Sequence, residues 1–228
     1  MEQIDDTRQL PLFPLPLVLV PNEVLPLHIF EERYRQMLSD VASREGQFGI
    51  TVFETDEFPA VRPEPGSIGC VAEVRDIDTL SDGRSNILVV GILRYRLLEY
   101  VEGPQLYNIG LVEYFEDEPG DKEVLDALAE SVLTIFRRIA KAAHKLSGRQ
   151  GPIPDIIADD PETLSFQITA TFITDNLLKY EFLKMTDTAE RLERLKEKLI
   201  QSVDQIERQA DIQFSASTNG HGKPSADD

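Results

Sequence analysis

The residues whose types could support catalysis or metal binding are few in this sequence and lie far apart. The histidines are His28, His144 and His221, and the single cysteine is Cys70. A closed zinc site needs about four such ligands at short spacings, which these positions do not provide. The sequence also contains no phosphate-binding loop, no dinucleotide-binding glycine turn, no nucleophile elbow and no zinc-binding helix motif. We therefore predict no catalytic residue, no cofactor and no metal site.

Paired carboxylates offer another route to hydrolysis, and their arrangement here does not favour it. Glu31 and Glu32 are adjacent, so on a helix their side chains point about 100° apart instead of converging on one bond. The favourable interaction of acidic residues with a helix start explains them better. The acidic run at residues 116–118 lacks the glycine-centred alternation of a calcium loop and predicts a solvated loop. A carboxylate-based hydrolase is the least favoured of three functional hypotheses.

Cys70 and His28 have apolar neighbours that indicate structural roles. His28 lies between Leu27 and Ile29, and no nucleophile that it could serve as a general base is suggested nearby. Cys70 lies in an alternating strand pattern, where a free cysteine behaves as a small buried hydrophobic residue. We predict that neither side chain takes part in a reaction.

The overall composition indicates a folded, acidic protein. The 228 residues are 41% hydrophobic and 28% charged, which is the globular range. The 23 basic and 41 acidic residues give a net charge of −18, which disfavours binding to nucleic acid or to an anionic membrane. A single cysteine requires no oxidising compartment, so we expect a cytoplasmic protein. The apolar run at residues 10–20 is interrupted by prolines and predicts neither a signal peptide nor a membrane span.

The first half of the chain has the pattern of short strands and turns. The clearest predicted strands are residues 48–53, 67–77, 86–101 and 106–115. Asp82 and Gly83 predict a tight hairpin turn, and Gly91 within the long third strand predicts a bulge at which the sheet bends. One helix, at residues 31–41, has apolar residues at helical spacing and is expected to cover an open end of the resulting barrel.

In the second half the apolar residues recur every three or four positions, which predicts helices. The first helix ends before Gly148, and three more begin after Asp160, Asp175 and Asp187, whose side chains can cap free backbone N–H groups. We therefore predict an α+β protein. Its expected parts are an N-terminal arm at residues 1–9, a β pseudo-barrel at 10–118, a helical bundle at 119–212 and a disordered tail at 213–228.

One segment, residues 10–21, is apolar and contains four prolines. Because proline has no backbone N–H, we predict that this segment runs along an edge of the sheet and not through its centre. In the structural interpretation the segment seals the barrel. In the functional interpretation it provides an apolar groove that binds an extended polypeptide by main-chain pairing.

The same segment begins a series of motifs that resembles the amino-terminal domain of Lon proteases. The opening motifs are LPLFPL at residues 10–15, PNE at 21–23 and LPLHIFEERY at 25–34. Later motifs follow in the same order as in the family at residues 48–50, 68–74, 80–84 and 91–97, with looser matches at 179–183 and 190–193. The resemblance therefore extends beyond the opening segment and into the helical half.

The resemblance implies a PUA-like pseudo-barrel with a covering helix, followed by a C-terminal helical bundle. It also implies a role in substrate recognition, since in full-length Lon this domain precedes an ATPase module and a Ser-Lys peptidase module. The sequence has no motif for the first module and no room for the second, so proteolysis by this chain alone is not expected. The implied partners are polypeptide clients and a separate ATP-dependent protease.

The leading hypothesis is therefore a non-catalytic module that binds unfolded or degron segments. Leu25, Leu27, Phe30 and Tyr34 are its candidate contacts, because this part of the opening motif lies beside the predicted covering helix. The alternative is a small-molecule-binding regulator in a protein-degradation setting, since some relatives of this fold are receptors for compact ligands. PUA-like barrels elsewhere bind RNA, a use that the net charge of −18 opposes.

Overall fold

The computed structural model describes residues 7–52, 62–147, 156, 158 and 160–219. Within these residues six strands and one helix form the first half and four further helices the second, which confirms the α+β class. The elements are β1 (Thr7–Leu15), β2 (Val24–Ile29), α1 (Glu32–Ala42), β3 (Gln47–Val52), β4 (Ile68–Thr79), β5 (Ser85–Val101), β6 (Asn108–Phe115), α2 (Lys122–Ser147), α3 (Pro161–Phe172), α4 (Asn176–Lys184) and α5 (Thr188–Asn219).

The strands form one sheet that closes on itself as a barrel. Their order is β2-β5-β4-β3-β1-β6, and β6 also pairs with β5. The β1–β3 pair is parallel and every other recorded pair is antiparallel. The long strand β5 makes closure possible, since β4 lies along one side while β2 and β6 occupy successive halves of the other side. Strand β2 therefore extends beyond the closed part of the barrel.

A bulge in β5 next to Gly91 confirms the predicted bend. The pairing with β4 shifts there, because Val71 pairs with Leu93 whereas Ala72 pairs with Gly91. Gly91 is also needed for close packing, since a Cβ atom on it would lie 2.2 Å from the backbone oxygen of Val20. A one-residue shift exchanges the two faces of a strand. Ile87 and Val89 before the bulge consequently lie in one apolar cluster, whereas Tyr95 and Leu97 after it lie in a different one.

The strands contribute to two separate apolar clusters. The smaller cluster contains Leu10, Leu12, Val71, Tyr95, Leu97 and Val112. The larger cluster includes Ile87 and Val89 of β5 and the face of α1 formed by Tyr34, Met37, Leu38 and Val41. Helix α1 therefore packs its apolar side on the sheet, as expected of a covering helix. Cys70 is fully buried in the larger cluster, as predicted.

The predicted edge position of the proline-rich segment is wrong, since β1 lies inside the sheet between β3 and β6. The prolines are tolerated because β1 changes neighbours along its length. Pairing with β6 covers Thr7 to Leu12, and pairing with β3 begins only at Leu12. Pro11 therefore has a strand partner only on the β6 side and Pro14 only on the β3 side. The nitrogen that lacks a hydrogen can face the unpaired side at both positions.

Local signals at turns and helix starts are confirmed. Gly83 has a φ of 82°, and the Leu80 N–H donates to the Arg84 carbonyl 2.8 Å away across the hairpin turn. The predicted caps form at all three helices, because Asp160, Asp175 and Asp187 accept hydrogen bonds from backbone N–H groups of the first turns that follow them. These contacts fix where α3, α4 and α5 begin.

Contacts within the chain divide it into two compact units, and the division differs from the expected one. The first unit combines residues 1–118 with Phe166–Thr186, and the second combines Pro119–Ser165 with residues 187–228. The sequence predicts a boundary after residue 118 but places the whole of 119–212 in one bundle. Phe166 and Leu183 instead belong to the larger apolar cluster of the sheet. Their burial explains why α4 and the end of α3 group with the strands.

A buried arginine holds this helical segment within the first unit. The Arg94 guanidinium donates to the Leu183 carbonyl at 3.2 Å and to the Met185 carbonyl at 2.5 Å. It also pairs with the Asp117 carboxylate, and both side chains are at most 4% exposed. The prediction of a solvated acidic loop at residues 116–118 is therefore wrong for Asp117. A buried carboxylate of this kind requires a charged partner, which β5 supplies.

The second unit is helical, with α2 and α5 as its longest elements. Arg138 of α2 makes two hydrogen bonds, at 3.0 and 2.9 Å, to the carboxylate of Glu207 in α5. Arg191 is fully buried, and its guanidinium donates to the hydroxyl groups of Ser165 and Thr188. The apolar side of α5 contains Leu192, Leu195, Leu199 and Val203, as predicted.

The predicted arm and tail differ from the structure where it describes them. Residues 7–9 belong to β1 and pair with β6, and residues 213–219 continue α5 up to Asn219. The first glycine after Thr188 is Gly220, so the sequence contains no residue that stops the helix earlier. The rest of the predicted arm, residues 1–6, and of the predicted tail, residues 220–228, lies outside the described residues.

Candidate functional site

Strand β2 has a free edge in the part of the chain that the structure describes. Only β5 pairs with it there, through a register that runs from Val24 opposite Val90 to Ile29 opposite Ser85. The other side of β2 therefore carries backbone groups without a strand partner. Such an edge is the feature of a sheet that can add an extended polypeptide.

The outward face of β2 is mostly apolar. We define the β2 strip as Val24, Pro26, His28, Phe30 and Leu88. All five are exposed, with 56% for Val24, 59% for Phe30 and 38% for Leu88. Leu88 belongs to the strip because it pairs with Pro26, and side chains of paired residues lie on the same face. The strip offers apolar surface directly beside the free edge.

His28 is the polar member of the β2 strip and is held in place on its surface. Its Nδ1 atom lies 2.8 Å from the Oδ1 atom of Asn86, which is its partner on β5. Its ring stacks near Phe30 with 6.0 Å between the ring centres. These contacts hold the ring on the surface of the sheet, and its hydrogen-bond partner is an asparagine side chain of β5.

The four predicted contact residues occupy three different environments. Phe30 is exposed in the β2 strip, whereas Leu25 and Leu27 are half-buried and pack against the larger apolar cluster. Tyr34 is only 5% exposed, and its ring centre lies 4.1 Å from that of Phe13. Burial raises the pKa of Tyr34 above its ordinary value. Tyr34 therefore supports the sheet from within and presents no surface to a ligand.

Sequence reasoning missed Val24, Pro26 and Leu88. Val24 and Pro26 could have been found from the strict alternation of strand faces. Once the strand is known, this alternation places them on the face opposite to that of Leu25 and Leu27. Leu88 required the register between β2 and β5. That register pairs Leu88 with Pro26, which lies 62 positions earlier in the sequence, and no local pattern specifies it.

The turn before β2 is anchored by an ion pair between distant parts of the first unit. Glu23 lies at the end of this turn, and its Oε1 atom is 2.6 Å from the Lys179 Nζ atom of α4. The other carboxylate oxygen of Glu23 accepts a hydrogen bond of 3.1 Å from the Val20 N–H. Asn22 adopts the left-handed conformation with a φ of 65°, and its N–H donates to the Gly91 carbonyl. These contacts fix the direction in which β2 leaves the bulge of β5.

A second surface feature is a cleft of about 380 Å³ beside α1, β1 and β6. Its floor includes the buried residues Leu10 and Val41. The hydroxyl of Tyr107 donates to the Asp40 carboxylate at 2.8 Å, and burial together with this carboxylate raises the pKa of Tyr107 to about 12. The charged and aromatic residues that line the cleft are Arg8, Asp40, Arg44, Glu45, Tyr107 and Tyr114.

The described residues contain no metal-binding group. They include no cluster of three or more histidine, cysteine or carboxylate side chains placed to hold a metal ion. Burial raises the pKa of the Cys70 thiol, which keeps it protonated and unreactive. None of the helices in the described ranges is long and apolar enough to cross a membrane.

The family of the chain follows from comparison with known proteins. The model of the ATP-dependent protease La (LON) substrate-binding domain matches residues 9–201. The chain belongs to this family. The LON domain match covers both units, so the half of the chain with the looser motifs is included.

Curated relatives of this LON domain are Lon proteases of much greater length. The chain is 26% identical over 218 residues to the Lon protease of Heliobacterium modesticaldum, which covers 92% of this chain and 26% of that protein. It is 29% identical over 205 residues to the Lon protease of Azorhizobium caulinodans, covering 87% of this chain and 23% of the relative. The chain thus spans about a quarter of the length of these relatives.

Solved structures confirm the fold of the LON domain. A Lon N-terminal domain protein from Xanthomonas campestris has a TM-score of 0.59 at 22% identity, covering 82% of this chain and 96% of that one. The N-terminal domain of Mycobacterium avium complex Lon protease has the same TM-score at 21% identity, covering 84% and 98%. At these identities the likeness concerns the fold.

Proposed function

We propose that this LON domain is a non-catalytic polypeptide-recognition module of the cytoplasm that binds unfolded or degron segments. The family supports substrate recognition in general, because its model describes a substrate-binding domain. The observation that carries the finer proposal is the β2 strip beside a free strand edge. Leu25 and Leu27 shape this surface from below and Phe30 contacts the client, with Tyr34 as buried support.

The chemistry of the surface fits an extended segment of polypeptide. Val24 and Phe30 are each more than half exposed, and burying apolar surface of this kind is the main source of association free energy in water. Backbone groups on the free edge of β2 can pair with a client main chain irrespective of its sequence. The combination suits clients that share apolar character and lack a common motif. Captured segments would be shielded or delivered to a separate ATP-dependent protease.

Titration of a fluorescently labelled, permanently unfolded protein with this chain tests the proposal. We expect saturable binding with a dissociation constant below ~100 μM, which corresponds to ~5.5 kcal/mol. Phe30→Ser should weaken binding by about tenfold, since burial of a large apolar side chain contributes ~1.5–3 kcal/mol. Leu106→Ser is the matched control, because Leu106 is 58% exposed and Phe30 59%. Absence of saturable binding would rule out the proposal, and equal losses in both variants would place the site elsewhere.

A second candidate function, a small-molecule-binding regulator, is favoured by the cleft beside α1. Arg8 and Arg44 line this cleft. Neither forms an ion pair with another described residue, although the chain has 41 acidic and only 23 basic residues. Asp40 and Glu45 also line the cleft, and Asp40 already accepts a hydrogen bond from Tyr107. The two arginines, the tyrosines and the apolar floor suit a small carboxylate with an apolar body. A melting-temperature screen of such carboxylates tests it, since a ligand specific for the folded state raises the melting temperature. A hit should be lost in Arg44→Gln, and no hit would remove this candidate.

A further inference from the structure

A proline lies in the middle of the strand whose edge is free. Strand β2 has six residues, and Pro26 pairs with Leu88 near its centre while remaining exposed. Proline has no backbone N–H and therefore cannot contribute a donor to a strand pairing. The position of Pro26 along the edge consequently decides how well an added strand can pair there.

Along β2, as in any strand, the backbone N–H and C=O groups of successive residues point alternately toward the two sides of the strand. Val24, Pro26 and His28 share one direction, and Leu25, Leu27 and Ile29 share the opposite one. Prolines within sheets occupy positions at which the missing donor faces away from the paired neighbour. Pro26 and the two residues that share its direction therefore face the free edge. The edge presents the N–H groups of Val24 and His28, about 13 Å apart, and none between them.

We propose that Pro26 determines client selectivity by keeping the pairing of polypeptide with β2 short and reversible. This inference rests on the proposed function of the β2 strip. An incoming strand finds donors at Val24 and His28, but the client carbonyl opposite Pro26 finds none beside an apolar surface. Unpaired carbonyl groups in such surroundings weaken binding. Segments that depend on main-chain pairing alone are released quickly, and segments with apolar side chains that fit the β2 strip are retained.

The same proline also protects the free edge of β2 against pairing with a second copy of the chain. Natural sheets limit edge-to-edge association with short strands and prolines, and β2 has both features. If protection against self-association were its only role, replacement of Pro26 would change oligomerisation and leave the affinity of the monomer for clients unaltered. Client affinity and oligomeric state must therefore be measured on the same variants.

Restoring the missing donor tests the proposal directly. Pro26→Val and Pro26→Ala both return a backbone N–H, and they differ in the size of the side chain. We expect both variants to bind the labelled unfolded protein about tenfold more tightly than the original chain, mostly through slower dissociation, a change of ~1.4 kcal/mol. A gain in Pro26→Val alone would reflect its larger side chain and would overturn the proposal. An unchanged affinity in both variants, or a change only in their oligomeric state, would overturn it as well.

A peptide experiment with the unaltered chain keeps the test independent of how the variants fold. A short blocked peptide in which valine and lysine alternate is compared with the same peptide N-methylated at two adjacent central residues, which removes a donor from both of its edges. Main-chain pairing predicts weaker binding of the methylated peptide by at least about fivefold. Equal affinities would refute main-chain pairing and with it the role of Pro26, while the proposed recognition of apolar side chains would stand. Failure of the unfolded protein to bind at all would instead reject the proposed function.

Discussion

Strands β1 and β2 both contain prolines, and the two strands use them in opposite settings. Strand β1 lies inside the sheet, and it accommodates Pro11 and Pro14 because each has only one paired side. Strand β2 lies at the edge, and Pro26 interrupts the donors of its free side. In β1 the prolines are compatible with full closure of the barrel. In β2 the proline accompanies an open surface.

Burial separates the two strands further. Leu10, Leu12 and Phe13 of β1 are at most 7% exposed and contribute to both apolar clusters. The outward residues of β2 are exposed, and only its inward residues contact the larger cluster. Strand β1 therefore belongs to the structural core, whereas one face of β2 is exposed. A proline-containing apolar segment can therefore form either an interior strand or an exposed edge strand, and its place in the strand order decides which.

The largest expected effect is on stability and concerns β1. Leu12→Ala removes a side chain that is 1% exposed in the smaller apolar cluster, so the free energy of unfolding of the first unit should fall by ~2–5 kcal/mol. Val24→Ala in β2 is the matched control and should change it by about 0.5 kcal/mol or less. The reaction of Cys70 with a thiol reagent is a suitable measurement, because the single cysteine is buried in the first unit and reacts only when this unit opens. Similar losses in both variants would contradict the distinction between the two strands.

The next effect concerns the anchor of β2. Lys179→Met leaves the carboxylate of Glu23 without its cation, and both side chains are at most 16% exposed. We expect the free energy of unfolding to fall by ~1–3 kcal/mol, less than for a fully buried pair because some solvent contact remains. Binding of the unfolded protein should weaken as well, since the pair fixes the start of β2. Glu23→Gln with Lys179→Met should recover part of the stability, and a larger combined loss would show that the pair does not act as proposed.

Replacing the prolines of β1 and β2 tests the difference between the two strands, with a smaller expected effect on stability. Pro11→Ala and Pro14→Ala should lower the free energy of unfolding by ~0.4–1 kcal/mol, because proline restricts the unfolded chain. Neither should change client affinity, since both residues lie in the interior strand. Pro26→Ala should instead raise client affinity. A gain in affinity on replacing Pro11 or Pro14 would mean that β1 also offers an accessible edge.

Local features of the fold could be predicted from the sequence because short-range physics determines them. The turn at Gly83, the bulge next to Gly91 and the caps at Asp160, Asp175 and Asp187 depend on residues within a few positions of one another. The closed α+β barrel also follows, since strand patterns and a long bent strand indicate it. These predictions required no knowledge of which distant segments meet.

Features that depend on distant pairing could not be predicted in the same way. The interior position of β1 requires parallel pairing with β3 and antiparallel pairing with β6, and no local pattern encodes either. The burial of Asp117 depends on Arg94, and the anchoring of β2 depends on a lysine 156 residues away. The candidate site shows the same limit, because the opening motif alone suggests Phe30, whereas Leu88 joins the β2 strip only through the register of β5.

The smallest expected effect concerns the paired side of β1, where Tyr107 precedes β6. Burial and the Asp40 carboxylate raise the pKa of Tyr107 to about 12, above the value of about 10 for an unfolded chain. The folded state therefore holds this proton more tightly, and the contribution of Tyr107 to stability is fully present below pH 10 and declines as the pH rises from about 10 to about 12. The difference between the alkaline absorbance titrations of the original chain and Tyr107→Phe should show one tyrosine with a pKa of about 12. Asp40→Asn should lower the pKa of this tyrosine. A Tyr107 that titrates with ordinary tyrosines would place its hydroxyl in solvent. The hydrogen bond from Tyr107 to Asp40, which lies just beyond the end of the β1–β6 pairing, would then be absent.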